Sequence, residues 1–438
     1  MKKMFFAAMA ATMMFASCNK EEGNVNKGQE GEKALMDLVI QFPAESRAAD
    51  SNASPNDSKI TTVTVFIFNT DGSAATGSPA NLLASDFTSG SNNTYSLKAD
   101  ERIETTAGNK NIYVGINLPS ALSTVTSEGA LKAEYAASIS SLTSASDGLA
   151  MLSNVSAKSL KAQEVGTTPT DPANVITVDV ERLVSKVAAR KSSSFTAANS
   201  DFKGFTIDVD QFAVGNVATH IYPVQRIAAS KLVTPMLVSQ AVETLKPLNA
   251  AAVATNAVTS FFYVNESRAK NNLRGEATYA VVRGKLSFSN FAQIVSDAIS
   301  VTATATVTAG ATVYMVRDED NSTYFCANLT DASLVAGKLT NAKISTFKAA
   351  SDGSIYCFYY VFLNADEADA LAVYRNQYFN IAVNSIKGVG AGGDPTTPET
   401  PQFPLPDVEE PAIEVAAYLE VLVDVKPWDY KFVLVDLQ

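Results

Sequence analysis

The segment 417–438 alternates apolar and polar side chains with the period of two that is typical of β-strands. It reads AYLEVLVDVKPWDYKFVLVDLQ and contains two such runs. The residues that define them are Leu419, Val421, Val423 and Val425 in the first run, then Tyr430, Phe432 and Leu434 on one face of the second run and Val433, Val435 and Leu437 on the other. A strand that is apolar on both faces has to be covered on both faces. The sequence therefore predicts a mainly β protein whose C-terminal segment is completed by another surface.

Composition allows a large folded core and excludes one class of partner. The chain has 438 residues, of which 46% are hydrophobic and 18% charged, so we expect two or three domains and no wholesale disorder. The formal net charge is −11. Phosphate backbones would repel such a chain, so a nucleic-acid partner is not expected.

The N-terminal residues have the pattern of an export signal. Lys2 and Lys3 precede an apolar stretch over 4–16 that is too short to span a bilayer. Cys18 follows Ala-Ser, as in bacterial lipoprotein signals, so the chain is expected to be cut before Cys18 and to carry acyl chains such as palmitate there. An ordinary secretory signal with an unrelated cysteine is the alternative.

A second alternating run lies near the N-terminus and is followed by a loop-like segment. Its apolar face consists of Ala34, Met36, Leu38, Ile40 and Phe42. The segment 48–58 is rich in Ser, Asn, Asp and Pro, which is typical of exposed loops. Arg47 stands at the junction between this strand and this loop.

The body of the chain reads as many strands with few helices. Strand patterns over 59–69 and 111–119 open a first region, the segment 121–142 is ambiguous and partly helical, and 174–190 looks like one long strand that closes the region. A second region follows after a boundary near residue 193, with further strand patterns at 204–218, 277–288, 312–317, 355–364 and 378–388. This spacing predicts β-sandwich architecture.

A proline-rich segment separates the two terminal runs from this body. Residues 388–411 contain six prolines and no apolar period. Proline-rich chain is stiff and extended at about 3.1 Å per residue. Two readings remain: an arm that reaches a neighbouring molecule, or an insertion in a surface loop.

Cysteine and histidine usage gives no sign of catalysis. Cys326 and Cys357 lie in strand-like runs, where they either form a disulfide or act as two small buried hydrophobes. His220 is the only histidine, so no histidine pair is available for a metal site or a triad, and a structural role is favoured. The acidic stretch 318–322 reads as an exposed turn rather than a calcium site. We expect no enzyme activity, no metal and no cofactor.

Several segments, taken in order, resemble the Bacteroidetes fimbrillins. The run VYRNQYFNIAVNSIKG at 373–388, the proline-rich arm and LEVLVDVKPWDYKFVLVDL at 419–437 are similar to the C-terminal end of that family. The likeness is strongest to the major shaft subunits of the short, or minor, fimbriae of type V pili. VDVERLVSKVAAR at 178–190, TYAVVRGKLS at 278–287, the Cys18 signal and the Arg47 junction match in the same order.

The resemblance implies an assembly mechanism. In this family the subunit is exported as a lipoprotein, and its N-terminal strand fills a groove in its own first domain. An arginine-specific protease then cuts, here after Arg47, and the strand that carries Met36, Leu38, Ile40 and Phe42 leaves. A donor strand from the next subunit takes its place. Here the donor is either 418–426 or 430–437, which makes Leu419, Val421, Val423, Val425, Phe432 and Leu434 the candidate donor residues.

The resemblance also implies an architecture and a set of partners. We expect two transthyretin-like, Greek-key β-sandwich domains with a few short helices and an extended C-terminal donor segment. The expected division is a signal at 1–18, a propeptide at 19–47, domains at 48–193 and 194–387, the arm at 388–411 and the donor strands at 412–438. Expected partners are other copies of the chain, minor anchor and tip subunits, the protease, and a host or bacterial surface receptor.

The expected function is a structural shaft subunit that supports adhesion, exported to the outer membrane and then displayed in a surface fimbria. An anchor or tip subunit, and a surface lipoprotein that binds glycan, are the alternatives.

Overall fold

A computed structural model describes residues 31–42, 57, 59–90, 94–144, 146–164, 171–197, 199–235, 241–249, 259–269, 273, 275–364, 371–402 and the backbone of 419–427. Cys18, Arg47, Phe432 and Leu434 lie outside these residues, as do the side chains of Leu419, Val421, Val423 and Val425.

In its described residues, the N-terminal half consists of short strands with three α-helices and short 3₁₀ segments between them. The helices are α1 (Ser120–Ser123), α2 (Glu128–Lys132) and α3 (Ile139–Leu142). The strands are β1 (Lys33–Gln41), β2 (Thr62–Asn69), β3 (Ala80–Leu83), β4 (Phe87–Ser89), β5 (Thr94–Leu97), β6 (Ile103–Thr106), β7 (Gly108–Ile116), β8 (Tyr135–Ala136), β9 (Thr143–Ser144), β10 (Gly148–Leu149), β11 (Met151–Ser153), β12 (Ser156–Leu160) and β13 (Val175–Arg182).

The C-terminal half has longer strands and one helix, α4 (Leu329–Ala336), whose first turn is capped by the Asn328 side chain. The strands are β14 (Val184–Thr196), β15 (Phe202–Lys203), β16 (Phe205–Gly215), β17 (His220–Ile221), β18 (Arg226–Ala228), β19 (Lys231–Val233), β20 (Lys246–Pro247), β21 (Phe262–Asn265), β22 (Ser267–Arg268), β23 (Tyr279–Phe288), β24 (Asn290–Val295), β25 (Ala298–Thr304), β26 (Thr312–Arg317), β27 (Thr323–Cys326), β28 (Lys343–Lys348), β29 (Ile355–Phe362), β30 (Ala372–Val373), β31 (Gln377–Ile386), β32 (Ala391–Gly392) and β33 (Leu419–Pro427). The protein is mainly β, as the sequence predicts.

A ten-stranded sheet organises the N-terminal half. Its order is β3-β2-β7-β11-β13-β1-β5-β4, with β12 paired to β7 and β6 paired to β1. Side chains of β1, β2, β7, β11 and β13 belong to one hydrophobic cluster, which we call the N-terminal core. β-branched and aromatic residues supply most of it, as in β2 (TVTVFIFN), where six consecutive residues are buried.

Besides a four-stranded sheet of order β15-β27-β26-β28, two sheets of four and five strands organise the C-terminal half. One has the order β21-β14-β31-β33 and the other the order β20-β16-β23-β29-β32. Their side chains enclose a second cluster, the C-terminal core, which is rich in Phe and Tyr. A third, smaller cluster lies under α4 and includes Ala332 and Val335.

The chain passes from one core to the other at Leu183. The sequence predicted one strand over 174–190, but the structure has two: β13 pairs with β1 in the N-terminal sheet, and β14 pairs with β21 and β31 in the C-terminal sheet. Leu183 and Val184 still pack in the N-terminal core, whereas Val187 packs in the C-terminal core. Because apolar residues continue through the crossing without Gly or Pro, the sequence pattern gives no sign of it.

The first part of the proline-rich segment folds back onto the body instead of extending away. Val389 is buried, β32 pairs with β29, and the carbonyl of Pro395 accepts a hydrogen bond from Lys348 Nζ at 3.0 Å. The Asp394 carboxylate closes a turn by accepting from the backbone N–H of Thr396 at 2.7 Å. The extended arm predicted over 388–411 is therefore wrong for 388–402.

The first terminal run pairs within its own chain. β33 lies antiparallel to β31, with Leu419 opposite Ile386 and Pro427 opposite Gln377. This places β33 at the edge of the four-stranded sheet. Within the described residues, no helix is long and apolar enough to cross a membrane.

Candidate functional site

The strand predicted to be removable occupies the interior of the N-terminal sheet. β1 pairs in parallel with β13 on one edge, where Asp37–Gln41 lie opposite Val175–Asp179. Its other edge pairs antiparallel with β6 through residues 33–36 and with β5 through residues 39–41. The backbone hydrogen-bonding groups of β1 are therefore engaged on both sides, which is the arrangement of a central strand.

The apolar face of β1 is a main component of the N-terminal core. Met36, Leu38 and Ile40 have no exposed surface, and Phe42 is 3% exposed. Phe42 meets the Tyr95 ring of β5 edge to face, with centroids 5.8 Å apart. The alternation of the sequence therefore corresponds to the buried face of the strand.

β1 is also the link that joins the strands on its two sides. Among the described strands of the ten-stranded sheet, β4 and β5 connect to β13 only through β1, and β6 pairs only with β1. Removing β1 would leave the β13 edge without its partner strand and detach β4, β5 and β6 from the sheet. An apolar groove bordered by unpaired strand edges is a template for another strand.

Few polar contacts hold the solvent side of β1. Asp37 Oδ2 lies 3.5 Å from Arg102 Nε, and both side chains are partly shielded from water. The backbone N–H groups of Ala107 and Gln163 donate to the carbonyls of Glu32 and Lys33 at 2.8 and 2.9 Å. Because these contacts are few, the binding of β1 rests on its apolar face and its backbone pairing.

Sequence reasoning found β1 but not the residues that border it. Across the β13 edge, Leu38 lies opposite Ile176 and Ile40 opposite Val178, and both partners are buried. On the other edge the groove is lined by Leu97 and Ile103, which are each 5% exposed. The alternation in 174–182 was visible in the sequence, but its parallel pairing with a strand about 140 residues earlier was not.

The two cysteines are free thiols in different places. Cys326 packs under α4 and Cys357 in the C-terminal core, so the disulfide reading is not borne out by the structure. Burial raises the pKa of the Cys326 thiol to about 12 and that of Cys357 to about 11. Both thiols are therefore protonated at neutral pH and act as small hydrophobes.

The remaining chemical candidates occupy structural positions. His220 pairs with Ala136 across the two-stranded sheet β17–β8, and its Nδ1 lies 3.0 Å from the Thr219 hydroxyl. Asp318 closes a turn by accepting from the N–H of Ser322 at 2.8 Å. Among the residues that the structure describes, no three His, Cys, Asp or Glu side chains are grouped so as to hold a metal ion.

Comparison with known proteins identifies two family matches along the chain. A family model described as "Major fimbrial subunit protein (FimA)" matches residues 36–188. A second, described as "Major fimbrial subunit protein type IV, Fimbrillin, C-terminal", matches residues 353–431. Together the two matches cover more than half of the chain, including β1 and β33.

Individual relatives agree with these matches. The minor fimbrium subunit Mfa1 of Porphyromonas gingivalis is 23% identical over 461 aligned positions, which cover 92% of this chain and 89% of Mfa1. A crystal structure of a P. gingivalis fimbrilin (FimA) superposes with a TM-score of 0.51 at 17% identity, covering 92% of this chain and 99% of that one. A putative cell adhesion protein from Parabacteroides distasonis gives 0.50 at 14% identity, covering 91% and 100%.

The two structural likenesses concern the fold, and the family matches concern descent. Both lead to the same group of proteins, in agreement with the resemblance read from the ordered segments of the sequence. The chain belongs to the Bacteroidetes type V fimbrillins, a family of fimbrial subunit proteins.

Proposed function

We propose that this chain is a structural shaft subunit of a cell-surface fimbria and that it polymerises by protease-triggered strand exchange. The observation that carries the proposal is the position of β1: it fills a groove between β13 and the pair β5 and β6. Residues 18–47, which include β1, would be removed by a single cut after Arg47, the signal having been cleaved earlier before Cys18.

The energy of β1 burial supports an exchange rather than a simple loss. Met36, Leu38, Ile40 and Phe42 are fully or almost fully buried. At about 1.5–3 kcal/mol for each side chain, the strand contributes at most about 6–12 kcal/mol. An empty groove would forfeit this energy along with the edge hydrogen bonds. A second strand of similar pattern would restore both, which is β-strand addition.

We favour residues 430–437 as the donor. Leu419–Pro427 already pairs with β31 of its own chain along its full length. The run at 430–437 follows it directly in the sequence, so we assign the donor role to this second run. Phe432 and Leu434, with Tyr430, provide the apolar face that would replace β1.

The exchange would produce a filament. Each subunit would give a strand through its C-terminus and accept one in the groove of its N-terminal half, so donor and acceptor surfaces differ. Heterologous contacts of this kind propagate as fibres when they do not close into a ring. Other copies of the chain, together with anchor and tip subunits at its two ends, are the partners this proposal requires, and adhesion would depend on a host or bacterial receptor.

We further propose that export occurs by the lipoprotein route, with acylation of Cys18 holding the precursor on the outer membrane until the cut after Arg47. In place of the division expected at residue 193, the two folded domains of the mature chain would be 48–183 and 184–402, the second together with β33, since the chain changes sheet and core at Leu183.

The experiment that tests this function is mass spectrometry of assembled surface material. The expected mature N-terminus is Ala48, and Arg47→Ala is expected to trap an acylated precursor without fimbriae. Arg226→Ala, at another exposed arginine, is the matched control and is expected to assemble normally. Assembled material that retains acylated Cys18 would contradict the proposal and would favour an anchored lipoprotein.

The donor assignment has its own test. The pair Phe432→Asp and Leu434→Asp should abolish polymerisation while the purified chain folds normally, because the change lies outside the β33 pairing. Unchanged polymerisation of this variant would overturn the assignment to 430–437.

A further inference from the structure

A buried charged cluster lies where the two halves of the chain meet, and it includes a residue from the segment before β2. Asp57 has no exposed surface, and its Oδ2 lies 2.8 Å from Lys186 Nζ. The Tyr263 hydroxyl donates to Asp57 Oδ1 at 2.6 Å, and Arg182 Nε donates to the Asp57 carbonyl at 2.7 Å. We call these four residues the Asp57 clamp.

The clamp joins three parts of the fold. Arg182 is the last residue of β13, the strand that forms the parallel edge of the β1 groove. Lys186 and Tyr263 are directly opposite each other on β14 and β21 in the C-terminal sheet. Asp57 thus ties the chain before β2 to both cores at once.

The surroundings make the clamp costly to break. The side chain of Lys186 is 1% exposed, and its Nζ lies 4.2 Å from the centroid of the Phe261 ring. Removing one partner of a buried ion pair leaves the other charge in a site with little water. The resulting loss of folding free energy is much larger than the loss caused by breaking an ion pair on the surface. Burial and the Asp57 carboxylate also raise the pKa of Tyr263, so its hydroxyl remains a donor.

The position of Asp57 along the chain gives the cluster a specific consequence. It lies after Arg47 and before β2, which begins at Thr62. On its C-terminal side the chain is fixed again, because the backbone N–H of Thr61 donates to Asn117 Oδ1 at 2.9 Å. Asp57 is therefore the first described residue after the expected cut, and it is bound to side chains distant in sequence.

We propose that Asp57 is the retaining anchor of the mature N-terminus. It is the residue that keeps the start of the mature chain bound to the folded body when the segment before the cut leaves. The clamp holds the chain from 57 onward on the two cores when β1 leaves, so the groove opens while β2 and the junction between the cores stay closed. This inference rests on the proposed exchange for its biological setting, although the clamp can be tested whether or not β1 departs.

The test is hydrogen exchange by mass spectrometry on the full chain, before and after digestion with an arginine-specific protease. The variants are Asp57→Asn, which keeps the shape and removes the charge, and Tyr263→Phe, which removes one hydroxyl. Tyr113→Phe is the matched control, because the Tyr113 hydroxyl donates to the buried Glu128 carboxylate at 2.7 Å within the N-terminal core. The reporter peptides cover 59–69, 182–187 and 261–265.

In the unmodified chain, the reporter peptides should keep their protection after the cut. In Asp57→Asn they should exchange about tenfold faster or more after the cut, since the charge of Asp57 is lost in a segment that the cut has disconnected from β1. Before the cut the difference should be smaller, because β1 and β2 hold the segment at both ends. Tyr263→Phe should show the same pattern more weakly, and Tyr113→Phe should leave these peptides unchanged.

Two outcomes would overturn the anchor: loss of protection in the unmodified chain on cutting, or an Asp57→Asn effect that is absent or is equal before and after the cut. Departure of β1 is measured separately, by whether the fragment that ends at Arg47 co-elutes with the body in size-exclusion chromatography. A fragment that stays bound even when a peptide of residues 430–437 is added in excess would count against the proposed exchange, while the reporter peptides would still decide the anchor.

Discussion

Leu38→Ala tests whether the apolar face of β1 contributes to stability as its burial suggests. Leu38 has no exposed surface and lies between Met36 and Ile40 on the same face, both also fully buried. Its partner across the β13 edge is Ile176, which is buried as well. A side chain enclosed by other packed residues leaves a cavity that cannot collapse, so we expect a loss of about 3–4 kcal/mol, within the range of about 2–5 kcal/mol for buried Leu→Ala changes.

The assay is urea unfolding of the uncut chain, followed by circular dichroism. With a slope of about 2 kcal/mol per molar urea, the expected loss lowers the midpoint of the N-terminal transition by about 1.5–2 M. The matched control is Leu83→Ala: Leu83 is 56% exposed on β3, a strand at the edge of the same sheet, and its loss should change stability by less than about 0.5 kcal/mol.

A third measurement connects the stability that Leu38 contributes to the proposed exchange. After the cut and separation of residues 1–47, Leu38→Ala and the unmodified chain should unfold at the same midpoint, because residue 38 is no longer present. Before separation, the substituted strand should leave about 100-fold to 1,000-fold more readily. A Leu38→Ala midpoint equal to that of Leu83→Ala would refute the claim that this face holds β1 in its groove.

Three other expectations follow from the buried polar groups. Iodoacetamide at pH 8 should leave Cys326 and Cys357 unmodified in the folded chain and alkylate both in concentrated urea, as read by peptide mass spectrometry, because burial raises both thiol pKa values. For Glu128, burial raises the carboxyl pKa, but hydrogen bonds from Lys132, Tyr113 and Asn111 outweigh it and lower the pKa below the usual 4.5. This stabilisation is present above that value and is lost as pH falls through the folded pKa, so Glu128→Gln should reduce the drop in urea midpoint between pH 7 and about pH 3.5. Arg375→Met should lower the free energy of unfolding by about 3–5 kcal/mol in urea titrations, since Arg375 Nη2 and Nε lie 2.6 and 2.9 Å from the buried Glu266 carboxylate.

Local alternation was sufficient to predict β1 and its buried face. Ala34, Met36, Leu38 and Ile40 are spaced by two, and a central strand with one face in a core needs only that pattern. The same period identified most of the longer strands, including β2, β16, β23 and β31. The mainly β class follows from these local signals.

Features that depend on distant partners could not be read in the same way. Asp57 lies in a polar segment and was expected to be exposed, yet it is buried by Lys186 and Tyr263, which are 129 and 206 residues away in sequence. The crossing at Leu183 and the return of residues 388–402 onto β29 are likewise determined by contacts with residues that are distant in sequence. In each case tertiary contacts override a local pattern.

The physical effect of a cut after Arg47 is a change of tethering, not a change of contact. Before the cut, β1 is connected to β2 through the intervening chain. Because of this connection, the effective concentration of β1 at its own groove is in the millimolar range. Under those conditions a competing donor has to displace a strand that rebinds at once. Such a cut would remove none of the pairings with β13, β5 and β6, but it would make rebinding bimolecular, so a released strand would be lost by dilution. Under the proposed exchange, a donor fixed to a neighbouring subunit would then have the advantage of tethering that β1 has lost, and the exchange would proceed in one direction even if the two strands bound the groove equally well.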